Sequence, residues 1–119
     1  MPSTEAHDEM DRQAEFSLIE SVWKRIREHL ENERLRVNEE IKNYPPPIPA
    51  CDAQFNYLLE ERARIGQELG RLEALAREGL TRSAHLKRIG EFIASSNYIK
   101  GEAEQRIRSS LLSVLDGGA

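Results

Sequence analysis

The sequence is short of several residues that define whole classes of protein. It holds one cysteine, so no internal disulfide can form and a stapled secreted fold is not expected. No apolar run approaches the ~20 residues that a membrane-spanning helix needs. Residues 1–10 are polar and acidic, with no apolar signal core. A cytoplasmic location is the expectation. Aromatic residues make up 6% of the 119, whereas Leu, Ile, Glu, Arg and Ala are abundant, a balance that suits a helical bundle better than a sheet protein. The formal charge of −4 gives no global reason to expect nucleic acid or an anionic membrane as partner. Phosphate-cradling glycine loops, nucleophile elbows and clusters of cysteine ligands are all missing.

Proline is also scarce along most of the chain, because four of the five residues crowd into positions 45–49. Neither Gly nor Pro interrupts residues 11–43. There Phe16, Ile19, Trp23, Ile26 and Leu30 recur at steps of three and four, and the stripe continues through Val37, Ile41 and Tyr44. Glu33 and Glu40 occupy two of its positions, and Leu18 and Val22 widen only its first half. This pattern predicts a helix over 11–43, preceded by a disordered acidic tail over 1–10.

Prolines 45–47 and 49 then force a stop, since a residue before proline is pushed out of the helical region. A stiff polyproline II turn over 44–51 would cross the roughly 10 Å between adjacent helices and return the chain antiparallel. Asp52, or Cys51 beside it, is the expected N-cap of a second helix over 52–78, carrying Phe55, Leu58, Leu59, Ile65, Leu69, Leu72 and Leu75. Arg62 fills one position of that stripe. Gly66 and Gly70, mid-helix, are expected to let a neighbouring backbone approach closely, and Gly79 to terminate the helix. Two shorter helices, 83–95 and 97–115, complete the pattern, with Ser95-Ser96-Asn97 as the break between them.

The expected fold is therefore all-α: a long antiparallel helical hairpin, coiled-coil-like, with two shorter C-terminal helices packed on its open end. The proline-proximal arm is left without a third element. Its apolar residues Leu35, Val37, Ile41, Phe55, Leu58 and Leu59 are expected to be covered on one side only. Full burial of each would contribute ~1.5–3 kcal/mol. A homo-oligomer, most simply a two-fold dimer, would supply the cover, and another protein is the second candidate.

Chemistry is thin. His7, His29 and His85 have no partner histidine at helical spacing, so no metal site, cofactor or catalytic residue is expected. Cys51 could be acidified near a helix N-terminus, but Asp52 opposes this. The tip residues Tyr44, Pro46, Ile48, Pro49 and Cys51 could meet a partner, with Pro46 and Pro49 at P-x-x-P spacing. Over 82–108, Arg82, Lys87, Arg88, Lys100, Arg106 and Arg108 outnumber Glu91, Glu102 and Glu104, which admits a small DNA-binding regulator as the alternative. The leading expectation is a non-enzymatic, oligomeric interaction or adaptor module.

Overall fold

The computed structural model describes the backbone of residues 2–117 and the side chains of residues 17–115. It has four helices, α1 (Pro2–Lys42), α2 (Ala53–Arg77), α3 (Arg82–Ser95) and α4 (Gly101–Gly117), and no strand among the described residues. None of these helices is long and apolar enough to cross a membrane. The molecule measures 72 × 24 × 20 Å, and its long axis reflects the 41 residues of α1, which at 1.5 Å each span about 60 Å.

Helix α1 begins at Pro2, well before Asp11. The segment 1–10, expected to be disordered, thus carries helical backbone from Pro2, while Met1 lies outside the described residues. Extending an existing helix adds one hydrogen bond per residue fixed, without a new nucleus. Proline suits a first helical position.

The caps follow local chemistry. The Asp52 carboxylate accepts the Phe55 amide at 2.9 Å and opens α2. Thr81 does the same for α3, its hydroxyl accepting the Ala84 amide at 3.2 Å. Gly79 does not terminate α2 as expected. Glu78 ends it in an extended conformation, its amide donating to the Leu75 carbonyl, and Gly79 has no positive φ. The left-handed residue is Gly101, at φ 61°, where the chain enters α4.

Residues 97–100, expected to begin the last helix, form a non-helical linker instead. Ser96 is buried and its hydroxyl accepts the Tyr98 amide at 3.1 Å. Ile99 is fully buried beside it. Hydrogen-bonded in this way, a polar linker and one apolar residue compete successfully with helix.

Helices α1 and α2 pack along each other, while α3 and α4 lie against α1 and against one another. The core runs through Val22, Trp23, Ile26, Leu30, Ile65, Leu72, Ile89, Ile93 and Ile99, each at most 2% exposed. Trp23 sits at its centre. Its ring meets those of His85 and Phe92 edge-on, both at 6.3 Å. The indole N–H donates to Nδ1 of His85 at 3.3 Å, which leaves the neutral ring's proton on Nε2.

Gly66 and Gly70 are exposed, and a Cβ at either would meet nothing within 4 Å. Among the described residues no neighbouring backbone approaches them, and the expected packing role is not seen there.

Candidate functional site

The hairpin divides into a body and an arm. Phe92 of α3 shares a hollow with Arg71 and Leu75 of α2. Arg71 also stacks over the Phe92 ring at 4.5 Å and donates to Ser95 at 3.1 Å. In the linker, the Tyr98 carbonyl accepts from Nε2 of His29 at 2.6 Å, and the Tyr98 hydroxyl reaches the Glu61 carbonyl at 3.5 Å. Ala103 and Ile107 of α4 share a cleft with α1 as far as Asn32. None of these contacts reaches residues 33–42 or 53–60. That two-helix stretch is the candidate site.

Of the six arm residues expected at an interface, the structure withdraws two. Val37 is 0% exposed and Leu58 5% exposed in the folded chain, so neither is available to a partner. Arg36, next to Val37, hydrogen-bonds Glu33 at 2.9 Å and Glu40 at 3.1 Å on its own helix. The Glu33 bond and the negative charges of Glu33, Glu40 and, across the seam, Glu61 hold its guanidinium still more firmly protonated. Ile41, Phe55 and Leu59 are half-buried, and Leu35 is 61% exposed. Tyr57, not singled out from the sequence, is 52% exposed beside them in α2, with Arg64 at 5.9 Å from its ring. Its position between two stripe residues gave no signal.

The tip is clasped by its own polar groups. The Tyr44 hydroxyl donates to both carboxylate oxygens of Asp52, at 2.8 and 2.9 Å, and the Tyr44 and Phe55 rings lie 5.1 Å apart. The Phe55 amide first, then the Tyr44 hydroxyl, holds the Asp52 carboxyl below its usual range. The same bond to Asp52, foremost, pushes the Tyr44 phenol up. Asn56 donates to the Ala50 carbonyl at 3.2 Å. The Pro46–Pro47 peptide is cis, so the turn is not one continuous polyproline II stretch. Pro46, Pro49 and Cys51 are exposed, Ile48 is 40% exposed, and Cys51 lies outside the first turn of α2.

The basic segment is divided rather than gathered. Arg82 donates to the Val114 carbonyl at 3.2 Å, Arg88 pairs with Glu91 at 3.3 Å, and Arg108 with Glu104 at 3.2 Å. Lys87, Lys100 and Arg106 are exposed on α3, the linker and α4 respectively. Among the described residues, no three His, Cys, Asp or Glu side chains gather where they could hold a metal ion. One acid stands apart: Glu68 has a side chain 12% exposed and no hydrogen bond to either buried oxygen, with Arg71 at 3.9 Å.

No family model matches the chain, and no match is found among curated proteins or solved structures.

Proposed function

We propose that the chain is a non-enzymatic helical interaction module that self-associates, most simply as a two-fold dimer, through its arm. The observation that carries this reading is the group of exposed apolar side chains beyond the body contacts described above: Leu35, Tyr57 and, at the tip, Ile48. Water-exposed apolar side chains on a rigid two-helix rod gain by burial against a copy of themselves. The half-buried Ile41, Phe55 and Leu59 extend the same surface. Duplex DNA has less support as partner, because three of the six basic side chains are engaged within the chain.

Light scattering across micromolar to millimolar protein tests the proposal. A mass above 13.6 kDa that grows with concentration is expected. Leu35→Glu, Tyr57→Glu and Ile48→Glu, taken singly, identify the face, and at least one should restore the monomer. A mass of 13.6 kDa at every concentration refutes self-association. An assembly indifferent to all three substitutions refutes the arm as its contact.

A further inference from the structure

The cleft between α1 and α4 gathers cations that have no partner among the described residues. Arg25, Glu28, His29 and Asn32 line it from α1, and Ala103, Arg106 and Ile107 from α4, around a space of about 170 Å³. Most described arginines pair with a glutamate three or four positions away on their own helix. Arg25 and Arg106 do not, although Glu28 and Glu102 stand at helical spacing from them. Glu28 lies nearer Lys24, at 4.0 Å. Asn32 makes no side-chain hydrogen bond among the described residues, and it lines the same cleft. His29 is held in place by its bond to the Tyr98 carbonyl at 2.6 Å.

Two guanidiniums brought to one cleft from different helices repel each other. An oxyanion between them replaces that repulsion with two charge-assisted hydrogen bonds, for which the planar guanidinium fork is well shaped. The buried Ala103 and Ile107 form an apolar floor, which limits competing water. The space is well below the ~300–1,000 Å³ of sites for drug-sized ligands, so its occupant is small.

We propose that this cleft binds a small tetrahedral oxyanion of the phosphate class between Arg25 and Arg106, with the Asn32 amide as a neutral donor. The isotopically labelled full chain is titrated with inorganic phosphate at constant ionic strength and followed by amide resonances. Saturable shifts are expected at residues 25–32 and 103–107. Arg25→Gln and Arg106→Gln should each weaken binding about tenfold or more, as the loss of one charge-assisted bond implies. Both side chains are exposed, so thermal melts of the variants should match the parent. A second arm uses phenyl phosphate: tighter binding than inorganic phosphate assigns the site to a monoester, and equal or weaker binding to the free ion. Shifts that grow linearly without saturating, shifts centred elsewhere, or binding unchanged in both variants overturn the proposal.

Discussion

The hydrogen bond between Trp23 and His85 can be weighed by a double-mutant cycle. Trp23→Phe removes the indole donor and leaves Nδ1 of His85, a residue 3% exposed, without a hydrogen-bond donor. His85→Leu removes the acceptor and leaves the indole N–H of Trp23, 2% exposed, without a partner. Each single change creates an orphaned buried polar group, at about 1–3 kcal/mol, whereas the double variant has neither orphan. The donor–acceptor distance of 3.3 Å is at the long end, which favours the lower half of that range. The two single losses, one orphan each, should therefore together exceed the double loss by about 2–4 kcal/mol. Urea denaturation followed by far-ultraviolet circular dichroism is the assay, since Trp23→Phe removes the only tryptophan. Losses that add to within about 0.5 kcal/mol would show that the two rings are merely neighbours.

Other changes probe the remaining elements. Gly66→Ala and Gly70→Ala should each raise stability by about 0.5–1 kcal/mol, since the added Cβ meets nothing within 4 Å; chemical denaturation at low protein concentration measures it, and a loss would show that something covers that face. Val37→Ala should cost about 2 kcal/mol and Leu35→Ala under about 0.5 kcal/mol, because only the first is buried; similar losses would contradict a self-covered arm. Asp52 is the clearest source of acid sensitivity. Its folded-state carboxyl is held below the unfolded value, so its contribution is present above about pH 4 and is lost as pH falls through the folded value. Melting temperatures should drop more between pH 5 and pH 2 (roughly, from the carboxylate range) in the parent than in Asp52→Asn, which keeps a capping oxygen but no charge. Equal drops would place the acid sensitivity elsewhere.

Periodicity and turn chemistry carried most of the architecture. The steps of three and four from Ile19 to Leu30, the prolines after Tyr44 and the caps at Asp52 and Thr81 are local signals, and the helices follow them. What could not be read is set by distance across the fold. The pairing of Trp23 with His85 spans 62 positions, and no spacing rule connects them. Burial of Val37 and Leu58 depends on how the helices meet in space, which a stripe of apolar letters does not record. The break at Ser95-Ser96-Asn97 is legible in the sequence, but its extension to residue 100 is not, because one serine hydroxyl and the buried Ile99 hold that stretch. Arg106 reads in the sequence as one member of the basic segment 82–108, and no spacing joins it to Arg25 across the cleft between α1 and α4.

One helix is common to body and arm, and this has a mechanical consequence. From Trp23 to the end of α1 at Lys42 there is no break in the backbone hydrogen-bond ladder, a rod of about 28 Å at 1.5 Å per residue. The tip and the ring cluster around the indole are thus joined by one continuous helix, with Trp23 at the body end and the proline turn at the other. The indole is the single tryptophan of the sequence, so its emission is a label-free readout placed on the same rod as the tip.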